Sequence, residues 1–246
     1  MDKGIKIPNG SPLYSVGKLI NDFDTIFCHA LDNSIYFVGA RNHLKILLKI
    51  YNNRELSLNS DNNWNYTYAF RSDELKRNID WFRNKANSNR KERLIISPSD
   101  DKLLIRNTKV NAELDSYVKN PPIPMVPEMH NGVYAKIPVL RGFVDQIRAI
   151  DDEIINLKLS DSKLRMSGLT HQSPVYTIRV TQNSENREKS TYCLKPMLLI
   201  SCKLASDLGT ADLRFYPGGA IQLTSKGDYL SLRCLLTTID VSNSTT

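Results

Sequence analysis

The sequence predicts an α+β protein of two similar domains, each built from antiparallel sheets with two helices. Two observations carry this prediction. Four segments with helical periodicity begin near residues 11, 72, 139 and 197, so one unit of helix and strands recurs about every sixty residues. Several short runs rich in β-branched and aromatic residues separate consecutive helices, whereas a parallel α/β protein would alternate strand and helix. The helices are therefore expected to pack on one face of the sheets.

Each predicted helix carries an apolar stripe about three turns long. The segments are 11–23, 72–87, 139–150 and 197–208. In the second, Leu75, Ile79 and Phe82 recur at helical spacing after Ser72, a favourable N-cap residue. The fourth is apolar nearly all round and is followed by Gly209, a residue type that commonly ends helices.

The predicted strands are short and are separated by turn residues such as those of the Pro-Gly-Gly sequence at 217–219. In the first half they are 25–30, 34–38, 44–51, 66–71, 93–97, 103–107 and 110–117. In the second half they are 132–137, 154–159, 163–167, 175–181, 191–195, 212–216, 220–224 and 229–238.

A proline-containing segment, 118–131 (VKNPPIPMVPEMHN), lies almost midway along the chain. Its four prolines disfavour a central strand and favour an extended, partly polyproline course. We interpret it as an interdomain connector between a first domain, 1–117, and a second domain, 132–246.

Composition excludes some classes of protein. The 246 residues include 33 Lys and Arg against 26 Asp and Glu, a net charge of +7, and 41% are hydrophobic, which is typical of a globular chain. No apolar run approaches the roughly 20 residues that cross a bilayer, and the N-terminal residues resemble no signal peptide. We therefore expect an intracellular protein with no membrane association. The four scattered cysteines are expected to be reduced core thiols.

The sequence contains no recognisable catalytic motif. Its four histidines are scattered, and no cysteine or histidine spacing predicts a metal site. The acidic pairs at 100–101 and 151–153 stand where turns or helix ends are expected. We expect no enzyme activity, cofactor or metal; a nuclease that uses these acidic turns is the alternative.

Basic residues recur on the predicted helices. A charged face is usual for any solvated helix, but several such faces on one surface would neutralise DNA phosphates without reading base sequence. The helix-borne cations are Lys18, Lys76, Arg77, Arg83, Arg141, Arg148 and Lys203.

The order of the predicted helices, strands and connector resembles that of the sliding clamps of the proliferating-cell-nuclear-antigen type across almost the whole chain. The resemblance is strongest in the second half. Residues 134–150 (YAKIPVLRGFVDQIRAI) are similar to the strand and helix that open a clamp's second domain, and 154–169 (IINLKLSDSKLRMSGL) to the hairpin that follows. Residues 211–239 resemble the closing strands, and 34–50 (SIYFVGARNHLKILLKI) a first-domain hairpin in which clamps often have a histidine at the place of His43.

The resemblance implies a ring around duplex DNA, formed by three two-domain subunits with twelve helices inside and sheets outside. The seven helix-borne cations named above would then face the DNA. The same resemblance implies subunits joined edge to edge through 109–117 of one copy and 175–181 of the next. The implied interface residues are Val110, Ala112, Leu114, Val175, Tyr176 and Ile178.

Clamps of this type bind short client peptides in a pocket beneath the connector. The resemblance therefore implies a replicative DNA polymerase as partner, together with a clamp loader and other clients that carry the peptide motif. The implied pocket residues are Ala40, His43, Leu44, Ile46, Ile123, Met125, Val126, Gly219, Leu235 and Thr237.

Two alternatives keep the fold. Clamps are usually acidic, whereas this chain is basic, which is consistent with a divergent protein such as one encoded by a virus. Such a chain would be a monomeric or dimeric processivity factor that holds DNA by surface charge. The other alternative is one subunit of a heteromeric, checkpoint-like clamp. In each case the protein is expected to act at DNA, in a nucleus, a nucleoid or a viral replication site.

Overall fold

The computed structural model describes residues 5–7, 11–31, 34–51, 64, 66–85, 94–107, 110–116, 118–124, 126, 133–137, 140–182, 188–206, 208, 211–216 and 219–241. The chain divides into two compact units. The first comprises Met1–Arg41, Ile46–Met125 and Asp228–Ser231. The second comprises Asn42–Lys45, Val126–Gly227 and Leu232–Thr246.

The first half of the chain forms two helices and nine strands in the described residues. These elements are β1 (Ile5–Ile7), α1 (Ser11–Leu19), β2 (Thr25–Leu31), β3 (Ser34–Arg41), β4 (Leu44–Tyr51), β5 (Tyr68–Arg71), α2 (Ser72–Lys85), β6 (Leu94–Ser99), β7 (Lys102–Arg106), β8 (Asn111–Asp115) and β9 (Val118–Lys119). One sheet has the order β1-β6-β7-β8, and β4-β3-β2-β5-β9 are neighbours in another.

The second half repeats this arrangement. Its elements are β10 (Val133–Ile137), α3 (Leu140–Ala149), β11 (Ile154–Ser160), β12 (Lys163–Ser167), β13 (Tyr176–Arg179), β14 (Thr181–Gln182), β15 (Lys189–Leu194), α4 (Lys195–Ser206), β16 (Ala211–Tyr216), β17 (Ala220–Lys226) and β18 (Leu230–Thr237). One sheet has the order β13-β12-β11-β15, and β14-β10-β16-β17-β18 are neighbours in another. The predicted α+β class, with antiparallel sheets and two helices in each half, is confirmed.

The strands alternate buried and solvent-facing residues, as expected for antiparallel sheets with one face on a core. In β4, Leu44, Ile46, Leu48 and Ile50 are buried, and the residues between them are half-buried. In β11 the buried positions are Ile155, Leu157 and Leu159. Period-two burial of this kind fixes the register, because a slip by one residue would expose the whole apolar set.

The helices pack in pairs, α1 against α2 and α3 against α4. Helix α2 begins at Ser72, whose hydroxyl donates to the Phe23 carbonyl oxygen and whose backbone N–H donates to Asp24 O at 3.0 Å. Acidic Asp73 and Glu74 follow in the first turn, where the helix dipole stabilises negative charge. These contacts fix the start of α2 against the segment that follows α1.

Some boundaries differ from those predicted. Helix α1 ends at Leu19 and a 3₁₀ turn covers Ile20–Asp22, although one helix was predicted over 11–23. Helix α4 begins two residues before the predicted start. The connector opens with strand β9, which pairs with β5 ahead of the first proline, where the backbone N–H groups that a strand needs are still present.

All four cysteines are buried and free. Burial raises the pKa of the Cys193 and Cys234 thiols to about 12, and it also raises the pKa values of Cys28 and Cys202. Since a buried thiol with a raised pKa carries little thiolate, these cysteines behave as core residues.

Candidate DNA and partner interfaces

Helix α2 presents three parallel stripes. Leu75, Ile79 and Phe82 are buried in the core, and residues spaced i, i+4 and i+7 share a side of a helix. One flank carries Lys76, Asp80 and Arg83, and the other carries Glu74, Asn78 and Trp81. The sequence-predicted cations of α2 are thus not all equivalent: Lys76 and Arg83 share a flank, and Arg77 points away from the buried stripe.

Three helix arginines whose side chains the structure describes, Arg77, Arg83 and Arg148, are paired with acids of their own helix. In α2, Arg77 Nη2 lies 3.5 Å from Asp73 Oδ2, and Arg83 Nη2 lies 3.4 Å from Asp80 Oδ1. Exposed ion pairs of this kind contribute only about 0–1 kcal/mol, so a phosphate can displace the carboxylate. The arginines remain able to bind a polyanion, with an affinity reduced by their acidic neighbours.

The second unit offers fewer cations. Arg148, in the last turn of α3, is exposed and bound to Asp145 at 3.3 Å. Lys203 is exposed in the last turn of α4, as Lys18 is in α1. The side chain of Arg141 lies outside the described part of the structure. The other six predicted cations are described, and they are distributed over all four helices.

Lys195 is a structural residue that sequence reasoning missed. Its ammonium group donates to Arg148 O at 3.2 Å and to the Ile150 carbonyl oxygen. It thereby satisfies carbonyl groups at the C-terminal end of α3, which have no partner within the helix. The only signal in the sequence is a lysine at the start of the next helix, and it does not indicate which helix the side chain reaches.

Several residues of the predicted peptide pocket meet in the second unit. Thr237 N donates to His43 O at 2.9 Å, and Thr238 N donates to Gly219 O at 2.9 Å. Gly219 has φ +82°, and a β-carbon there would stand 2.4 Å from Thr238 Oγ1, so this position requires glycine. Arg233 Nη1 donates to Val126 O at 3.5 Å, which anchors the connector at this residue.

The remaining pocket residues divide by burial. His43 and Thr237 are exposed and Leu235 is half-buried, so a peptide could contact them. Leu44 is fully buried in the core and serves only as support. In the first unit, Ala40 is exposed, Ile123 is half-buried and Ile46 is fully buried. Met125 lies outside the described residues.

Strand β8 of the first unit and strand β13 of the second are edge strands of their sheets. Of the predicted interface residues, Ala112 and Leu114 are buried within their own unit, whereas Val110, Tyr176 and Ile178 are half-buried. Val175, just before β13, is 48% exposed. On β8 the exposed side chains are instead Asn111, Glu113 and Asp115.

In these edge strands, the backbone N–H and C=O groups of successive residues point alternately to the neighbouring strand and to the open edge of the sheet. Asn107 N donates to Val110 O and Ser116 N to Asp101 O, so the even-numbered residues of this segment bond to β7. Successive residues point their backbone groups to opposite sides, and those of 111, 113 and 115 therefore face the edge. In the second unit, Val180 N donates to Ser162 O in the same way. The backbone groups of residues 177 and 179 in β13 therefore face the open edge of their sheet.

The loop that leads into β13 is held by a carboxylate. Asp152 Oδ2 accepts hydrogen bonds from Thr170 Oγ1 at 3.1 Å, from Thr170 N at 3.4 Å and from the Ser173 hydroxyl. These donors, above all Ser173, lower the pKa of Asp152 below its ordinary value. Gly168 lies directly against the same carboxylate, where a β-carbon would clash.

A groove separates α2 from β8 in the first unit. Its volume is about 410 Å³, and Phe70 and Leu75 are among the residues that line it. Its charged lining consists of Glu74, Glu113 and Asp115 together with Arg77, which is already paired with Asp73. The groove is therefore acidic, and it adjoins the outer edge of a sheet.

Solved structures with the same architecture are sliding clamps. The proliferating cellular nuclear antigen from Entamoeba histolytica matches with a TM-score of 0.75 at 13% identity, covering 98% of this chain and 100% of that one. The chain has the sliding-clamp fold. Two further clamp structures match with TM-scores of 0.73. The PCNA2–PCNA3 complex from Sulfolobus tokodaii matches at 12% identity and covers 96% of this chain and 98% of that one. A. fulgidus PCNA bound by the C-terminal region of FEN-1 matches at 14% identity and covers 98% of this chain and 99% of that one.

The sequence itself matches no protein-family model and no curated protein. At these identities the likeness is one of fold, and the clamp fold is consistent with the repeat seen in the sequence. In the described residues, no group of three or more histidine, cysteine, aspartate or glutamate side chains could hold a metal ion. No helix of that same part has the length and apolarity needed to cross a membrane.

Proposed function

We propose that the chain is a non-enzymatic DNA sliding clamp that encircles or tracks duplex DNA without sequence specificity. The observation that carries the proposal is the clamp fold along 98% of the chain, with cationic side chains on all four helices. Loosely held phosphate contacts carry no base information and therefore permit sliding. No cofactor is required for this activity.

The proposed partners are duplex DNA, a replicative DNA polymerase, a clamp loader and other clients. In one solved structure with this fold, the C-terminal region of FEN-1 is bound to A. fulgidus PCNA. In this chain the proposed peptide site comprises the exposed His43 and Thr237, the half-buried Leu235 and the connector residue Ile123. Self-association through β8 and β13 into a ring-shaped trimer is part of the same proposal.

Threading onto DNA tests the proposal directly. Linear duplex DNA is fixed to beads by one end, the purified chain is added, and the other end is then blocked with a bulky protein. A closed clamp is retained on blocked DNA and is released when the duplex is cut, at unchanged ionic strength. Equal retention on blocked and open DNA would contradict encirclement.

A second candidate function rests on the net charge of +7. A monomeric or dimeric processivity factor would hold DNA by charge alone, and its binding would fall steeply with salt. In the bead experiment such a protein would be retained equally with blocked and open ends. The same assay therefore separates the two candidates.

A further inference from the structure

One side of the sheet β13-β12-β11-β15 in the second unit is cationic. Alternate residues of β11 and β12, for example Leu157 and Leu164, are fully buried in the core of the unit. Because successive side chains of a strand point to opposite faces, the side chains between them point away from that core. The outward-pointing side chains include four cations, which we call the cationic face: Lys158, Lys163, Arg165 and Arg179.

The four cations occupy adjacent positions of the sheet. Lys163 stands directly opposite Arg179, and Lys158 stands directly opposite Arg165. Like charges at directly opposed positions destabilise a sheet. The two pairs are therefore unfavourable in the chain by itself and become favourable when an anionic surface covers them. Local conflicts of this kind are expected at functional sites.

Little negative charge compensates the cationic face. Among the described residues, Glu188 lies 2.5 Å from Lys158, and the other three cations form no ion pair. Asp161, in the turn between β11 and β12, is exposed and pairs with none of the four within that part of the chain. By contrast, Lys102 of β7 in the first unit is paired with two acids of β8. The cationic face thus keeps most of its charge available for a partner.

The position of this face does not suit the duplex proposed to lie against the helices. Cys202 of α4 lies near Cys193 of β15, and both are buried, so α4 packs on the buried side of the sheet. The cations point to the opposite side. A duplex held against α4 is therefore separated from the cationic face by the core of the unit.

The composition of the face does not suit single-stranded nucleic acid either. Proteins bind single strands by combining positive charge with aromatic rings on which the bases stack. Among the described residues, the aromatic ring on this side of the sheet is that of Tyr192, which stands opposite Asn156 and lies two strands away from β12. Charge without a stacking surface beside it favours carboxylates over bases.

We propose that the cationic face binds an acidic segment of a partner protein, rich in aspartate and glutamate. In an extended segment, alternate side chains point to one side about 6.4–6.8 Å apart, which is also the spacing of Lys163 and Arg165 along β12. Two carboxylates of the segment therefore match two cations of one strand. Strand β12 lies between β11 and β13, so its face stays accessible whatever pairs with the β13 edge. Binding at this face does not require the chain to encircle DNA.

Binding of a synthetic acidic peptide tests the proposal. The probe is a fluorescein-labelled peptide of alternating glutamate and serine, and its anisotropy is followed as the chain is added. Lys163→Gln with Arg165→Gln should weaken binding about tenfold, because two charge pairs are lost. Lys163→Glu with Arg165→Glu should abolish binding. Glu188→Gln should strengthen it, since a carboxylate that competes for Lys158 is removed.

A matched control removes the same charge elsewhere in the second unit. Lys136→Gln with Lys226→Gln alters two exposed cations outside the cationic face and should bind the peptide as the unaltered chain does. The proposal is overturned if this control loses as much affinity as Lys163→Gln with Arg165→Gln, or if both variants of the face bind the peptide unchanged. It is also overturned, in favour of nucleic acid, if those variants lose affinity for DNA while peptide binding is unaffected.

Unfolding by urea provides an independent measurement. The peptide should raise the urea midpoint of the unaltered chain, because a ligand that binds the folded state stabilises it, and should not raise that of Lys163→Gln with Arg165→Gln. Without peptide, this variant should be at least as stable as the unaltered chain, since like-charge repulsion is relieved. A less stable variant, or a midpoint that the peptide does not change in the unaltered chain, would contradict the proposal. Threading on DNA is measured separately, so its failure would contradict only the clamp function.

Discussion

Gly17 of α1 lies directly against Ile79 of α2: a β-carbon added at Gly17 would stand 3.1 Å from Ile79 Cγ2. Ile79 is fully buried, so it has little room to move away. The absence of a side chain at residue 17 is therefore what lets the paired helices of the first unit approach closely.

Substitution of Gly17 is expected to separate these helices. Gly17→Val should destabilise the protein by about 1–3 kcal/mol, the usual cost of an overpacked core, as measured by urea unfolding. Gly17→Ala is the matched control, because its single methyl group needs a smaller shift and the alanine gains helix propensity of about 1 kcal/mol. Equal stability of the valine variant and the unaltered chain would contradict the close packing.

Removal of helix cations should weaken DNA binding. We expect Arg83→Ala with Arg148→Ala to lower the affinity for duplex DNA and to reduce the salt slope by about one for each phosphate that is no longer neutralised. Arg148 is exposed and Arg83 is partly exposed, and neither belongs to the core, so folding should be affected by no more than about 0.5 kcal/mol for each change. Arg165→Ala on the β12 surface serves as a control that should leave affinity unchanged.

Removal of the acids that pair with these arginines should have the opposite effect. Asp80→Asn and Asp145→Asn release Arg83 and Arg148 from intrahelical ion pairs and remove negative charge near the proposed DNA surface. The affinity for duplex DNA should rise, and its salt dependence should steepen, in fluorescence anisotropy titrations. A fall in affinity would show that the carboxylates orient the arginines rather than compete with DNA.

A charge introduced into the connector should abolish client-peptide binding without affecting DNA binding. Ile123 is half-buried, and Ile123→Glu should abolish binding of client peptides while DNA affinity stays unchanged. Pro122→Ala, at an exposed neighbouring position, is the control and should preserve both. Calorimetric titration with a clamp-binding peptide measures the first property and anisotropy the second. Retained peptide binding would place the client site elsewhere.

The loop before β13 should loosen in acid. The hydrogen bonds of Asp152 lower the pKa of its carboxyl in the folded state below the ordinary value of 3.8. Because the folded-state pKa is depressed, its stabilisation is present above the unfolded-state value and is lost as the pH falls through the folded-state value. Unfolding measured between neutral pH and about pH 3 should show a smaller pH dependence in Asp152→Asn than in the unaltered chain. Identical profiles would contradict a role for this carboxylate.

Residue spacing was sufficient to predict the four helices and most of the strands. The recurrence of Leu75, Ile79 and Phe82 specified α2 and its buried side, because helix periodicity and the core impose the same pattern. The four-unit repeat likewise predicted helices that pack on antiparallel sheets, with two helices in each half. In β8, Ala112 and Leu114 were implied as interface residues by the resemblance, and the structure buries both within their own unit.

Spacing could not specify which neighbour covers each flank of a helix. Periodicity places Glu74, Asn78 and Trp81 together, but only the packing of α2 beside β8 shows that this flank borders an acidic groove. Lys195 is a similar case, since its partners lie at the end of another helix. The short strand β9 was missed because its two residues depend on pairing with β5 rather than on an apolar pattern of their own.

The buried cysteines are divided unequally between the two units, so their chemical modification can report local unfolding of each unit separately. Cys28 belongs to the first unit, and Cys193, Cys202 and Cys234 belong to the second. An alkylating reagent can modify these sulfur atoms only when the surrounding core unfolds, because the native thiols are shielded and protonated. Mass spectrometry of chains alkylated for increasing times would therefore show whether the two units unfold locally at the same rate or whether one unfolds before the other.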